Sequence, residues 1–220
     1  MTDQAQLKPY LTPEEYLAQE RQAEIKSEYW QGETYDMAGA STNHTIIGAN
    51  TLAELVMQLK GRPCTAHTSD LRVNVRRAGL YTYPDVTVVC GKAEFEGRHE
   101  DTLLNPTVII EVLSPSTEAY DRGMKFEIYR MLESLSDYLL VSQERPTIEH
   151  YTRRPDDQWL LTTYKGLDAV APIATIGCEL RLADVYDKVT WPAEETWAYR
   201  FRVVKETMAA YTDAGRPGSS

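Results

Sequence analysis

Two short apolar runs, each carrying one acidic residue, constrain this chain most. They are residues 83–89 (YPDVTVV) and residues 108–113 (VIIEVL). Runs rich in Val and Ile at this length are typical of strands buried in a core. A carboxylate in or beside such a strand is costly unless a positive group meets it. The two acids, Asp85 and Glu111, therefore indicate a shared divalent cation if the two strands lie side by side.

The positions of the two acids along their runs favour such a site. Asp85 lies near the beginning of one run and Glu111 near the end of the other. In an antiparallel pair the start of one strand lies near the end of its neighbour, and the loop-like link at residues 91–105 allows that pairing. Mg²⁺ prefers one or two carboxylates together with water and phosphate oxygens, which suits phosphodiester hydrolysis. Two alternatives stay open: Asp85 as a turn acid after Pro84, and Glu111 as an outward-facing strand residue.

Length and composition indicate one sizeable core. The chain has 220 residues, 42% of them hydrophobic, and this predicts a single domain with appendages. No run approaches ~18 consecutive apolar residues, so no membrane-spanning helix is expected, and the N-terminus lacks the blocks of a secretory signal. The three cysteines, Cys64, Cys90 and Cys178, have no metal-like spacing. They predict reduced, core-packed thiols and a cytoplasmic location.

The formal charge of −10 repels nucleic acid rather than attracting it. Binding to DNA would therefore need a local basic patch. The candidates are two groups of arginines, Arg72, Arg76 and Arg77 in one and Arg153 and Arg154 in the other. The alternative is that these arginines are solvated strand ends.

The order of predicted elements indicates an α/β fold with a mixed central sheet flanked by helices. The first predicted helix begins with a proline after Thr12 and ends near Lys26. The second begins with a cap within residues 41–43 and is closed by Gly61. The remaining predictions are two short strands around a Gln31-Gly32 turn, a half-exposed strand at 71–76, the two buried runs, a helix at 121–133, a strand at 138–141 and a hairpin of 148–153 with 159–164.

Three segments are expected along the chain. Residues 1–10 are a flexible lead-in, residues 11–190 are the main domain, and residues 191–220 are a C-terminal helix followed by a disordered tail. In the last segment, apolar residues recur at spacings of 4, 3, 4 and 3 from Trp197 to Tyr211. That stripe is typical of packing against the parent domain or a sister subunit. The chain is accordingly expected to form a homodimer.

Several motifs resemble one known family. Residues 83–86 (YPDV), 110–117 (IEVLSPST) and 121–126 (DRGMKF) resemble the Uma2 family, regarded as bacterial endonucleases within the PD-(D/E)XK nuclease superfamily. The resemblance runs from about Leu11 to Asp187. It implies a restriction-endonuclease-like core and an Mg²⁺- or Mn²⁺-dependent endonuclease acting on DNA. Asp85 and Glu111 would then bind the metal, helped by the Val112 carbonyl.

The chain departs from the superfamily pattern at one position. The pattern places a lysine two residues after the glutamate, where this chain has Leu113. The resemblance implies that Lys125, from the following helix, takes its place and assists the attacking water as a compact positive charge. The alternative is a surface pair between Asp121 and Lys125 four residues apart on a helix, worth ~0.3–0.5 kcal/mol.

Three further residues are candidates for a supporting role. Glu28 resembles an N-terminal acid of the superfamily, or else merely begins a strand. Asp70 could reach the metal through water, or cap the turn before Leu71. His44 lies in the first turn of its helix, where a cation is unfavourable, so a neutral imidazole is expected. Its imidazole could contact phosphate or shuttle a proton, or it could serve packing or capping.

A second function belongs to another class. The missing lysine after Glu111 and the acidic surface both favour a catalytically silent relative, retained as a partner-binding or regulatory module. Affinity for a divalent metal separates this alternative from the enzyme.

Overall fold

The computed structural model describes residues 10–37 and 39–191. In chain order its strands are β1 (Ser27–Trp30), β2 (Glu33–Asp36), β3 (Cys64–Thr68), β4 (Arg72–Val75), β5 (Leu80–Thr82), β6 (Val86–Cys90), β7 (Thr102–Leu103), β8 (Val108–Leu113), β9 (Asp137–Ser142), β10 (Thr147–Arg153), β11 (Trp159–Lys165), β12 (Val170–Ile173) and β13 (Cys178–Arg181). The helices are α1 (Pro13–Glu20), α2 (Thr42–Leu59), α3 (Glu118–Tyr120), α4 (Phe126–Tyr129) and α5 (Leu182–Val185). A π-helical turn at Asp121–Lys125 joins α3 to α4, and a 3-10 turn spans Ala174–Ile176.

The central sheet has six strands in the order β11-β10-β9-β8-β6-β3. All neighbours are antiparallel except β8 and β9, which are parallel. The two acid-bearing runs form the antiparallel pair β6–β8, with Val86 opposite Ile110. The prediction of an α/β fold with a mixed central sheet is confirmed, and so is the pairing of these two strands.

A five-stranded sheet, in the order β2-β1-β5-β4-β7, carries the N-terminal part of the chain. The predicted hairpin β1–β2 is confirmed. Its turn residues Gln31 and Gly32 both have positive φ, 49° and 97°, as a tight two-residue hairpin requires. The buried rings of Tyr16, Tyr29 and Tyr81 lie 4.9–5.6 Å apart and pack α1 onto this sheet.

One apolar core joins the two larger sheets and the helical segment that ends in α4. It contains Val73, Val75, Leu80 and Leu103 from the smaller sheet, Val89, Ile109, Leu113, Tyr138 and Leu140 from the central sheet, and Ile128, Tyr129, Leu132 and Leu135 from the helix and the turn after it. Ile109 and Leu113 therefore point to this core. Because side chains alternate along a strand, Glu111 shares their face of the sheet.

The first two helices begin where the sequence predicts. Thr12 and Glu15 form a capping box at α1, and the Ser41 side chain caps α2. However, α1 ends at Glu20 rather than near Lys26. The Glu20 carboxylate accepts hydrogen bonds from Ser27 N (2.9 Å) and Ser27 Oγ (2.7 Å), which draws the chain back into β1.

Parallel neighbours such as β8 and β9 need a crossover connection, which is usually helical. It occupies Glu118–Tyr129, three residues earlier at its start than the predicted 121–133. Its middle five residues form the π turn, a feature that often marks functional sites. The predicted strand at 138–141 and the hairpin at 148–164 are confirmed as β9, β10 and β11.

The hairpin β12–β13 and the short helix α5 had no counterpart in the sequence prediction. They pack against α2 through side-chain contacts with the backbone. The Gln58 amide donates to Glu179 O (2.8 Å) and accepts from Glu179 N (2.9 Å), and Asn50 donates to the carbonyls of Val185 and Asp187.

Two of the arginine candidates for a basic patch, Arg72 and Arg153, bind groups of the chain itself. β4 is buried along its whole length rather than half-exposed, because it is an inner strand between β5 and β7. The buried Arg72 donates to Tyr83 Oη (2.6 Å) and Thr102 Oγ1 (3.0 Å). Arg153 donates to the carbonyls of Leu132 and Glu133. Neither side chain is a solvated strand end, so both interpretations of these two arginines are wrong.

The expectation of three reduced cysteines is also wrong. The register of β3 against β6 places Cys64 opposite Cys90, and the two form a disulfide. Linear spacing in the sequence does not show this pairing, because it depends on which strands are neighbours. Cys178 keeps a free thiol and is buried, as expected for a core residue.

Some predictions fall on residues outside the described ranges. The lead-in at 1–10 lies there except for Tyr10, and the C-terminal helix and tail at 191–220 lie there except for Trp191. Among the helices within residues 10–37 and 39–191, none has the length and apolar character to cross a membrane.

The disulfide generates a direct prediction. Reduction, or the double variant Cys64→Ser/Cys90→Ser, should lower the free energy of unfolding by about 2–4 kcal/mol, because the cross-link restricts the unfolded chain. Urea unfolding with and without a thiol reductant measures the loss, and the double variant serves as the control that no longer responds to reductant. Thiol titration of the unfolded, unreduced protein should find one reactive thiol, Cys178; finding three would contradict the disulfide.

Candidate functional site

Asp85 lies immediately before β6, next to the end of β8. Extending the register of Val86 with Ile110 by one residue places Asp85 opposite Glu111. Asp85 Oδ2 accepts a hydrogen bond from Val112 N (2.7 Å) and lies 3.3 Å from His44 Nε2. About a fifth of its side chain stays exposed (19%), so solvent can reach this carboxylate.

Glu111 is buried in the middle of β8. Its Oε1 accepts a hydrogen bond from Tyr129 Oη (2.9 Å) and lies 3.0 Å from Lys125 Nζ. Burial raises the pKa of Glu111 to about 8 against the attraction of Lys125, and repulsion by Asp121 and Asp85 adds to the rise. The outward-facing interpretation of Glu111 does not hold in this structure.

Lys125 lies among three carboxylates. Its Nζ is 3.0 Å from Glu111 Oε1, 3.2 Å from Glu28 Oε1 and 3.3 Å from Asp121 Oδ1. Burial opposes its charge, but these carboxylates outweigh burial and raise the pKa of Lys125 well above its ordinary value. The pair of Asp121 with Lys125 does exist, yet both side chains are buried, so the surface-pair interpretation is wrong about its location.

Glu28 reaches the same ammonium from the smaller sheet. It lies on β1, its side chain is 14% exposed, and it accepts a hydrogen bond from Thr82 Oγ1. The structure thus brings together Glu28, Glu111 and Lys125 from three different elements. Both interpretations of Glu28 therefore apply, because it lies on a strand and also contacts Lys125.

His44 faces Asp85 from the first turn of α2. Burial lowers the pKa of His44, but the hydrogen bond and charge of Asp85 outweigh burial and raise it. The helix end alone favours a neutral imidazole, whereas the neighbouring Asp85 favours the protonated form. Capping falls to Ser41, whose Oγ accepts from His44 N (3.1 Å).

Asp70 stands apart from these residues. It pairs with Lys26 (3.0 Å), accepts a hydrogen bond from Thr68 Oγ1, and 84% of its side chain is exposed. Within the described ranges, its hydrogen bonds and ion pair are with these neighbours and not with the cluster around Lys125.

Two members of the cluster were not proposed from the sequence as site residues. They are Asp121 and Tyr129, which share one face of the helical segment with Lys125 at four-residue spacing. That spacing was visible in the sequence. The missing information was which strand residue the face meets.

The donor set suits a hard divalent cation. Mg²⁺ uses one or two carboxylates and completes its coordination with water and phosphate. Asp85, just before β6, and Glu111, on the paired strand β8, supply two carboxylates, and the charge of Asp85 contributes to the raised pKa of Glu111. Over residues 10–37 and 39–191 no group of three or more Asp, Glu, His or Cys side chains is arranged to hold a metal, so water and substrate would have to complete the coordination.

Comparison with known proteins shows the family to which the chain belongs. The Uma2 family, described as “Putative restriction endonuclease”, matches residues 13–183. The chain belongs to the Uma2 family. Two proteins of Synechocystis sp. are similar to it: uncharacterized protein slr1290, 38% identical over 81% of this chain and 92% of its own, and uncharacterized protein sll1609, 39% identical over 72% and 90%.

The fold has a counterpart among solved structures. The crystal structure of a putative nuclease belonging to DUF820 from Anabaena variabilis superposes with a TM-score of 0.60. It is 19% identical and covers 76% of this Uma2 chain and 93% of its own. The expected restriction-endonuclease-like core is confirmed by this likeness and the mixed sheet.

The buried charges generate a stability prediction. Replacing Lys125 by Met in this Uma2 protein leaves Glu111 and Asp121 without their cation, and should cost about 3–5 kcal/mol at about pH 8. The loss should be smaller at about pH 5. A carboxyl whose pKa is raised in the folded state costs stability as the pH rises from its unfolded value through its folded value, and protonation removes that cost.

Urea unfolding at both pH values measures this effect. The matched control is Arg77→Met, because Arg77 pairs with Glu133 on the surface, where 68% and 80% of the two side chains are exposed. It should change stability little at either pH. An equal loss for Lys125→Met at both pH values would contradict the assigned electrostatics.

Proposed function

We propose that this Uma2 protein is a divalent-metal-dependent endonuclease that hydrolyses phosphodiester bonds of DNA. One observation carries the proposal: the buried ammonium of Lys125 lies 3.0 Å from Glu111. Glu111 is on β8, which pairs with β6, and Asp85 lies just before β6. The family's description as a restriction endonuclease supports the reaction class.

Asp85 and Glu111 would hold Mg²⁺ or Mn²⁺, helped by the Val112 carbonyl. A bound ion supplies positive charge to a phosphate oxygen and lowers the pKa of water. Asp85 is already oriented by the Val112 N–H, and Glu111 is oriented by Tyr129 and Lys125. The two ligands are therefore held before substrate arrives.

Lys125 acts in this proposal as a fixed positive charge. Because its pKa is raised well above the ordinary value, it keeps its proton at neutral pH and is a donor rather than a base. It would orient the attacking water and stabilise the negative charge that develops on the phosphate. Glu28 and Asp121 keep the ammonium in place from two sides.

His44 is the proposed proton carrier. Its Nε2 lies 3.3 Å from Asp85 Oδ2, and Asp85 raises its pKa. An imidazole at that position would contact a phosphate or return a proton to the leaving oxygen. Asp70, exposed and paired with Lys26, has no role in this scheme.

The proposal extends to how the protein would bind DNA, to its oligomeric state and to its location. With a formal charge of −10 and several arginines turned to the chain's own backbone and acids, DNA binding would depend on the metal and on local charge at the site. We further propose that the protein acts in the cytoplasm as a homodimer, and the apolar stripe from Trp197 to Tyr211 in the sequence supports the dimer.

Metal binding tests the enzyme directly. Calorimetric titration should detect Mn²⁺ binding in the wild type and none in Asp85→Ala or Glu111→Ala, because each loses half of the carboxylate pair. Asp70→Ala is the matched control: it removes an exposed acid outside the cluster and should bind Mn²⁺ as the wild type does. A wild type that binds no Mn²⁺ would instead favour the silent partner-binding module, for which the ion pairs of Lys125 would serve the fold alone.

Cleavage of DNA tests the role of Lys125. In an Mg²⁺-dependent assay, Lys125→Met should lower kcat by about 10²–10³ because a preorganised charge at the reacting phosphate is lost. Mn²⁺ binding should persist, since both carboxylates remain. Unchanged kcat in a folded Lys125→Met variant would remove the lysine from the mechanism.

A further inference from the structure

Tyr83 lies two residues before Asp85, and its hydroxyl makes two hydrogen bonds. Its hydroxyl donates to Glu20 Oε1 (2.8 Å) and accepts from Arg72 Nη1 (2.6 Å). The side chain is buried, with 6% of the residue exposed. The backbone that leads into Asp85 is therefore anchored to α1 and to β4.

Cations also face the ring of Tyr83. Lys26 Nζ lies 5.3 Å and Arg72 Cζ 5.5 Å from the ring centroid, within the range of a cation–π contact. Arg72 is itself held by Thr102 Oγ1 (3.0 Å) and by Asp101 Oδ2 (3.3 Å). These contacts leave the Tyr83 side chain little freedom to shift.

Glu20 connects this anchor to a second member of the site. The same carboxylate accepts from Ser27 N (2.9 Å) and Ser27 Oγ (2.7 Å), and Ser27 directly precedes Glu28. Thr82, next to Tyr83, donates to the Glu28 carboxylate. One buried acid thus fixes the backbone beside Glu28 and, through Tyr83, the backbone beside Asp85.

We infer that Glu20, Tyr83 and Arg72 form a positioning cluster that sets where Asp85 and Glu28 stand in the site. Buried charged groups are a poor source of stability compared with apolar packing. The contacts of this cluster reach Ser27, next to Glu28, and Tyr83, two residues before Asp85. This placement beside two site acids favours a positioning role over a role in stability alone. Its catalytic meaning rests on the proposed function, whereas its effect on Asp85 does not.

Tyr83→Phe tests the inference with little disturbance, because it removes only the hydroxyl. The reporter is the Val112 amide, which donates to Asp85 Oδ2 (2.7 Å) and so senses the carboxylate. The matched control is Tyr29→Phe, a buried tyrosine of the smaller sheet whose hydroxyl donates to Leu11 O (2.8 Å). Amide NMR shifts and hydrogen exchange are compared in the wild type and both variants.

We expect the Val112 amide to shift and to exchange about tenfold faster in Tyr83→Phe, the factor that corresponds to weakening its contact by roughly one net hydrogen bond. It should stay unchanged in Tyr29→Phe. Glu20→Gln should move the Val112 and Ser27 amides together, because both contacts end on that carboxylate. A Val112 amide unchanged in Tyr83→Phe would overturn the inference.

A parallel Mn²⁺ titration separates the two proposals. Affinity about tenfold lower in Tyr83→Phe than in Tyr29→Phe supports the positioning cluster as part of a metal site. If the wild type binds no Mn²⁺, the proposed function fails, and the Val112 amide still decides the positioning role. If the wild type binds and Tyr83→Phe binds equally well, the positioning role fails alone.

Discussion

The ion pair between Lys125 and Glu111 is the contact on which the arrangement of the site depends. A carboxylate in the middle of a buried strand is expensive, and an ammonium on a buried helical turn is equally so. Each compensates for the other, and Glu28, Asp121 and Tyr129 surround the pair with further charges and a hydrogen bond. The central sheet, the helical connection and the smaller sheet therefore meet at one point of opposite charges.

Sheet register places Asp85 beside that point. The antiparallel pairing of β6 with β8 brings the start of one run to the end of the other, and the Val112 N–H fixes the Asp85 carboxylate. Two residues earlier, the hydrogen bonds of the Tyr83 hydroxyl to Arg72 and Glu20 hold the same segment. The partly exposed Asp85 is therefore held by a backbone N–H, whereas the buried Glu111 is held by the side chains of Tyr129 and Lys125.

The local sequence pattern was enough to predict the strands, turns and helix caps that depend on neighbouring residues alone. The acid-bearing strands, the β1–β2 hairpin and the caps of α1 and α2 followed from alternation, turn residues and N-cap chemistry. The site pair of Asp85 and Glu111 came from their sequence setting, and Lys125 came only from family resemblance. What failed depends on neighbours distant in sequence. The disulfide needs the β3–β6 pairing, the burial of Arg72 needs strands on both sides, and the raised pKa of His44 needs Asp85.

Leu113 shows why β8 itself offers no cation beside Glu111. It lies two residues after Glu111 on the same face of the strand, and it belongs to the apolar core with Ile109, Tyr129 and Leu140. A lysine in place of Leu113 would remove an aliphatic side chain from this core and bury an ammonium among apolar neighbours. Core packing therefore reserves this position of β8 for an apolar residue, and the positive charge beside Glu111 is supplied by the helical connection instead.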